Sequence, residues 1–295
     1  EGARRETRRR KCSWWTQFKL LYFRSFRQVI RDRATNLIRI TTNVNSALVF
    51  GSIYWRLKRT QSTIQDRFGL LQVSAINTAM ASVTKTLTAF SREKIVVDRE
   101  RTKGDYSVGP YLLAKLAAEL PISAVFPLLF GAVEYPMCGL NKSLPKFGKF
   151  LGLVTVESFT SSAIGLSVGS LVSSPEAANA LGPAVMVIFI VFGGYYCNPE
   201  NVPLAFRWIP RVSLIKHGFE GLAANEFRGL SFETKLPTDV ATGEQALQRI
   251  GFGESTVPKS LAGLGRIMLF NWMLTFHILK SKKPSFQFCE DGDFN

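Results

Sequence analysis

The sequence predicts an all-α membrane protein with six transmembrane helices, preceded by a helix lying in the membrane interface. Three observations lead there. Six windows along the 295 residues are apolar enough over about 20 residues to cross a bilayer, the length that about 30 Å of hydrocarbon requires at a 1.5 Å rise. The net charge of +15 is unevenly spread: residues 1–33 hold eleven Lys or Arg against three acids, whereas Ala177–Cys197 holds no charge at all. An amphipathic segment precedes the first window. A soluble nucleic-acid binder would account for the Arg-rich head but not for the uncharged stretches, so nucleic acid is not an expected partner.

Residues 1–35 are read as a basic cytosolic segment and the interfacial helix. There "SWWTQFKLLYFRSFRQVIRDR" sets Trp14, Phe18, Leu21, Tyr22 and Val29 on one face and Arg24, Arg27 and Arg31 on another, apolar side toward the membrane. The six-helix domain follows over 36–280. Its first two windows, Leu37–Leu57 and Phe68–Phe90, hold Asn, Thr and isolated basic residues. A central charge costs about 2.5–3.5 kcal/mol on insertion scales, so these groups should face protein or a wet cavity. The third window, Tyr111–Leu140, is long enough to cross with tilt although it carries Lys115, Glu119 and Glu134. The fourth, Phe150–Val172, is rich in Gly and Ser, which suits close helix packing, and Glu157 is its one acid. The fifth, Ala177–Cys197, is the clearest, apolar all round, with Gly182 and Pro183 able to break or kink it. The sixth is Leu261–Leu279.

Charge orients the loops. With the basic N-terminus inside, residues 91–109, 173–176 and the 281–295 tail fall in the cytosol, and the less basic 58–67 and 141–149 fall outside. Residues 198–260 form a long external region, punctuated by five prolines, in which "FRWIPRVSLIKHGFEGLAANEF" contains at least one short amphipathic helix. The chain opens on Glu rather than Met and is read as a fragment or truncated product.

No GxxxxGK[ST] phosphate loop, Gly-rich dinucleotide fingerprint or Ser-His-Asp set is present. No catalytic residue is expected in this chain. Cys12, Cys138, Cys197 and Cys289 are scattered and His217 and His277 stand alone, so neither a metal site nor a disulfide framework is indicated. Lys115 and Glu119 are spaced to pair on one helical face near the cytosolic end of their span. Glu134 and Glu157 read as polar anchors. In "SREKIVVDRERTKGDYS", charges surround the apolar Ile95, Val96 and Val97. That pattern fits either a short helix docking on another protein or a solvated hairpin tip.

Three runs carry a family likeness: "REKIVVDRERTKGDYSVGPYLLAKLAAELP", "PLLFGAVEYPMCGL" and "FIVFGGYYCNPENVPLAFRWIPRVSLIKHGFEGLAANEF". Over residues 13–283 the chain resembles the ABC-2 type (type V exporter-like) membrane domain of G-subfamily ABC half-transporters, the white-brown complex type, and most closely its plant members. The resemblance implies six spans, an interfacial connecting helix, and a cytosolic coupling loop that touches an ATPase domain. It also implies homo- or heterodimerisation with another half-transporter around a central cavity. By position it places Arg92, Glu93, Arg99, Glu100 and Arg101 at the coupling end of span two. Thr78 and Ala81 from span two, with Met186, Val187 and Ile190 from span five, fall on the cavity wall. Tyr195 and Tyr196 stand at a possible gate, where some relatives carry an apolar plug. The nucleotide-binding domain, with its ATP and Mg, is missing from this chain, which needs no cofactor of its own. The external region also lacks the cysteines that cross-link some animal relatives.

The expected function is the membrane half of an ATP-driven exporter in the plasma membrane, moving a lipid or hydrophobic small molecule by alternating access, with membrane lipid as surroundings. The competing reading is a membrane anchor or receptor-like subunit without an ATPase.

Overall fold

The computed structural model describes residues 13–102, 106–172, 174–196, 203–234 and 239–281. Cys12, Cys197, Cys289, the 103–105 tip and the 282–295 tail lie outside them. Among the described residues there are ten α-helices and no strand, only a single bridge between Ser231 and Thr242.

Helix α1 (Trp14–Arg31) owes its shape to aromatics four residues apart, Trp14, Phe18, Tyr22 and Phe26, whose rings stack in series at 5.8–6.2 Å. The face expected to rest on lipid does something else. Leu21, Phe18 and Tyr22 pack with Tyr111 and Ala114 of α4 (Val108–Met137) and with Val97 and Leu279. The large apolar groups left exposed include Trp15, Leu20, Phe23 and Ile30, on other sides of the helix. Asp32 then breaks the chain direction and caps α2 (Arg33–Ile53), its carboxylate accepting from the Thr35 N–H at 3.3 Å.

Helix α3 (Ser62–Thr102) is 41 residues long, about 60 Å at 1.5 Å per residue. It packs most extensively on α5 (Leu144–Leu171), and small residues make that contact close. A Cβ at Gly165 would sit 3.1 Å from Thr86 Cβ, one at Gly169 would sit 2.9 Å from the Phe90 ring, and Ser82 and Ser158 hydrogen-bond at 2.7 Å. The Gly and Ser content of this segment therefore does the packing work the sequence assigned to it.

Helices α4, α5 and α10 (Val257–Ser281) are long and apolar enough to cross a membrane. The window read as clearest, Ala177–Cys197, is helical only as far as Val191. Helix α6 (Pro175–Val191) has 17 residues, the short end of the range for a span, and stops before the two glycines. Pro183 lies inside it without ending it. Gly194 has φ +90°, a conformation costly for any residue with a Cβ, and a Cβ there would lie 2.7 Å from the Phe252 ring. Gly194→Ala is expected to cost about 1–3 kcal/mol, read as a lowered thermal midpoint in detergent.

The region read as external contains several helices. After a 3₁₀ turn at Leu204–Phe206 and α7 (Ile209–Val212) comes α8 (Leu214–Phe227), in which eleven of fourteen residues are buried. Its three less buried residues, Lys216, His217 and Glu220, share one face, so the amphipathic pattern is present but narrow. The helix is inserted among α3, α5 and α10, and Gly218 and Gly221 let Glu157 and Leu153 approach its backbone. The short α9 (Gly243–Arg249), held by a Thr242–Gln245 capping box, buries Ala246 and Leu247 in the same core as Phe219 and Phe227.

The connections gather into two groups at opposite ends of α3. At one end Gln61 donates to the carbonyls of Glu233 and Val240, and Lys146 donates to the Arg228 carbonyl at 2.6 Å. At the other, Lys94 reaches the carbonyl of Val172, and Gln17 accepts from the Ser107 N–H.

Candidate functional site

Residues 91–102 are not a loop. They continue α3 without a break, because the run "SREKIVVDRERT" consists largely of helix-competent residues and contains neither Gly nor Pro before Gly104. This corrects the expectation of a separate charged loop or short helix. It also gives each charge a fixed direction.

One side of this helical end is tied into the molecule. Glu93 accepts from the Tyr111 hydroxyl at 3.0 Å and from the Lys115 ammonium. Glu100 accepts from Arg24 at 2.9 Å and from the Tyr106 hydroxyl at 2.8 Å. Arg101 donates to the Leu279 carbonyl at the end of α10, and Val97 is buried between them. Burial, reinforced by the bond to Glu100, pushes the Tyr106 phenol well above its ordinary range. The same carboxylate, through its hydrogen bond, raises the Arg24 guanidinium.

The other side is open. Arg92, Ile95, Val96 and Arg99 are exposed and recur at i, i+3, i+4 and i+7, which is one stripe of a helix. The apolar trio read from the sequence thus splits: Val97 belongs to the interior, and Ile95 and Val96 form the centre of a charged-rimmed surface. Of the five residues expected at the coupling end, Arg92 and Arg99 lie on the stripe. Glu93, Glu100 and Arg101 brace it from behind.

The expected cavity residues are also divided. Thr78 and Ala81 line a cavity of about 350 Å³ between α2, α3 and α4, together with Asn43, Asn77, Met80 and Phe126. Met186 is fully buried against α3, packed with Ala79, Val83 and Leu87, and Ile190 joins that cluster from its edge. Val187 points outward, half exposed. No α6 residue is among those lining this cavity. Tyr195 lies edge-on to Phe219 at 6.0 Å and to Tyr196 at 5.2 Å, and Tyr196 is exposed. These tyrosines stand at the turn beyond α6.

Sequence reasoning found the Lys115–Glu119 pair, which closes at 2.7 Å. Lys115 is buried between Glu93 and Glu119, and Glu119 also meets Lys85 of α3 at 3.4 Å. The chain Glu93–Lys115–Glu119–Lys85 couples α3 to α4 through alternating charges. Lys85 had a legible signal, as the only charge between Phe68 and Phe90. Glu134 is placed 2.7 Å from the Ser74 hydroxyl, whereas Glu157 is buried against Gly218 with no hydrogen-bond partner among the described residues. Among those residues there is no His, Cys, Asp and Glu group able to hold a metal ion.

Missed altogether was the role of Asn225-Glu226-Phe227. Glu226 forms a buried ion pair with Arg67 and accepts from the Asn141 N–H at 3.1 Å. Asn225 donates to the Lys146 carbonyl at 2.8 Å, and Phe227 stacks on Phe68 at 4.0 Å. Three consecutive residues thus join α8 to the first turns of α3 and α5 and to the α4–α5 connection.

A bundle of long helices with one rod, α3, reaching from an inner cavity to an exposed charged stripe invites comparison with transporters. The profile of the family described as ABC-2 type transporter matches residues 16–227. The chain belongs to the ABC-2 type transporter family. The matched residues run from α1 to the end of α8, so α9 and α10 lie beyond them. The chain is 55% identical over 274 residues, 93% of its length, to ABC transporter G family member 7 of Arabidopsis thaliana. It is 30% identical over 83% of its length to the Caenorhabditis elegans ABC transporter ATP-binding protein/permease wht-1, and 27% identical over 92% to Protein white of Drosophila melanogaster. It covers 38%, 38% and 40% of these proteins respectively, about two-fifths of the length of the curated relatives it matches. The chain is therefore a G-family, white-type ABC membrane domain and an integral membrane protein.

Proposed function

We propose that the chain is the membrane-spanning half of an ATP-driven exporter of the plasma membrane, with α2, α3, α4, α5, α6 and α10 as its six spans. It would move a lipid or hydrophobic small molecule by alternating access. The observation that carries this reading is the continuity of α3. Ala81 on the cavity wall and Val96 in the exposed stripe lie fifteen residues apart on one helix, about 22 Å along a single rod. A push on the stripe must therefore move the cavity wall or bend the helix. The inward ties of Glu93, Glu100 and Arg101 transmit the same push to α1, α4 and α10.

The stripe is suited to a nucleotide-binding domain, supplied upstream or by a separate chain: an apolar centre for docking and two arginines for register. The exposed apolar residues Leu181, Val187, Ile188 and Val191 of α6 are suited to a second half-transporter. Dimerisation there would bring Val187 to a shared cavity that one chain leaves incomplete. Apolar lining by Ile38, Met80, Ala81 and Phe126 favours a hydrophobic cargo over an ion.

The test is to join the chain behind a nucleotide-binding domain and reconstitute it in proteoliposomes. ATP-dependent movement of a hydrophobic fluorescent probe, abolished by a hydrolysis-dead nucleotide-binding domain, is the expected result. Dimeric protein with working ATP hydrolysis but no dependence of probe movement on ATP would overturn transport in favour of the anchor reading.

A further inference from the structure

The cavity between α2 and α3 continues toward the α1 end of the molecule. A second cavity of about 590 Å³, bordered by Arg24, Gln28, Arg92 and Glu93, shares Ile38, Arg39, Thr84 and Lys85 with the one described above. The two are limbs of one groove, and Arg39 stands where they join. Helix geometry gives its depth. Arg39 is six residues into α2, about 9 Å from the end that meets α1, and Lys85 is 23 residues beyond Ser62, about 35 Å from the opposite end of α3. Set against about 30 Å of hydrocarbon, the α3 distance puts Lys85 near the headgroup boundary on the α1 side, and Arg39 lies in the α1-side third of α2.

The groove carries seven charged residues, but most are already matched. Glu93 is held by Lys115 and Tyr111, Glu119 is shared by Lys85 and Lys115, Arg24 pairs with Glu100, and Asp32 caps α2. Arg39 makes no ion pair among the described residues. Its guanidinium lies 3.5 Å over the Phe126 ring, and one of its amino nitrogens is buried without a hydrogen-bond partner. A cation half sheltered on an aromatic face and short of acceptors is unsatisfied as it stands. A planar guanidinium in that position is matched by a two-oxygen anion. The limb on one side of Arg39 is apolar, lined by Ile38, Met80, Phe126 and Pro127. The limb on the other side holds Arg24, Asp32, Arg92 and Glu93 among its lining.

We propose that this groove binds an anionic amphiphile, with its acidic headgroup on Arg39 and its aliphatic body in the α2–α3–α4 limb. Arg92 and Val96 of the docking stripe border the site's charged limb, and the other limb is the cavity assigned above to cargo. Arg39 itself belongs to neither the stripe nor its bracing contacts, and the site needs no ATP to bind. It does not depend on transport: it would exist equally in an anchor protein.

The experiment uses the chain in neutral maltoside micelles, titrated with phosphatidylglycerol, with phosphatidylcholine of the same chains, or with inorganic phosphate, and follows the thermal midpoint. A ligand that binds only the folded state raises that midpoint with saturation. Phosphatidylglycerol should raise it saturably, and the other two should not. Arg39→Gln should weaken the apparent affinity at least tenfold, Arg39→Lys less, and Arg211→Gln, an exposed arginine outside the groove, not at all. Should Arg39→Gln fail to fold, Thr42→Trp fills the apolar limb without touching the charge and must abolish the rise. Equal rises with both lipids, or binding that survives both Arg39→Gln and Thr42→Trp, would overturn the site. A rise with inorganic phosphate equal to that with phosphatidylglycerol would overturn the amphiphile, because the apolar limb would then contribute nothing.

Discussion

Replacing Glu226 by alanine should cost about 3–5 kcal/mol of stability, the usual consequence of leaving one member of a buried ion pair without its partner. Both side chains of the Arg67–Glu226 pair are 2% exposed, so solvent cannot take over the solvation of the orphaned arginine. Arg67 would keep its bond to the Leu57 carbonyl at 2.9 Å, which meets only part of its demand. The backbone N–H of Asn141 would lose its acceptor at the same time. The effect should be structural and local to that end of the bundle. Thermal unfolding of the detergent-solubilised chain should show a midpoint many degrees lower, and limited proteolysis should cut first near residues 139–146. Glu226→Gln retains an acceptor for Asn141 but not the charge, and should fall between the two. A midpoint for Glu226→Ala within a degree of the parent would show that the pair is not what joins α8 to α3.

What hydropathy and charge could read, they read well. The α4 and α5 segments were visible as apolar windows because both length and composition pointed the same way, and the Gly and Ser pattern of α5 announced its close approach to α3. The end of α6 was hidden because the absence of charge runs on through "FGGYY" to Cys197, while charge count does not register the backbone angle at Gly194, whose φ is +90°. The depth of burial of α8 was not legible for a related reason. Lys216, His217 and Glu220 mark one polar face, but Glu226 lies off it, and the residue that makes its burial possible, Arg67, is 159 positions away. Local pattern carries no information about so distant a partner.

The candidate site was legible in position but not in orientation. That residues 91–102 face away from the apolar spans followed from charge; which of them face outward did not, because the helical phase was never carried through from Phe90. Phase also explains Met186. On a helix apolar all round, no periodicity marks the face that packs on α3, so Met186 and Val187 were treated alike although one is buried and the other is not. Once α3 is a continuous helix, however, a period of 3.6 sorts Arg92, Ile95, Val96 and Arg99 from Glu93, Val97 and Glu100 without further information.

That sorting makes the coupling proposal testable with a large effect. Val96→Asp combined with Arg99→Glu should leave the fold intact, because both side chains are exposed and surface changes of this kind typically fall within about 0.5 kcal/mol. Against a nucleotide-binding domain the same pair places an unpaired charge at the centre of the docking surface and reverses the charge at its rim. Losing a central contact costs about 2 kcal/mol or more at protein interfaces, roughly 30-fold in affinity. ATP-dependent probe movement in the reconstituted protein should therefore fall by at least tenfold while the thermal midpoint holds. Glu100→Gln supplies the contrast. Its partner Arg24 is about half exposed, so the pair contributes only about 0–1 kcal/mol to stability. Glu100 should affect coupling only through the stiffness of the helix end, giving a smaller loss than the stripe variants. If Val96→Asp with Arg99→Glu moved the probe at the parent rate and Glu100→Gln did not, the force would enter through the inward face. The exposed stripe would then be a solvated surface, as a hairpin tip would be.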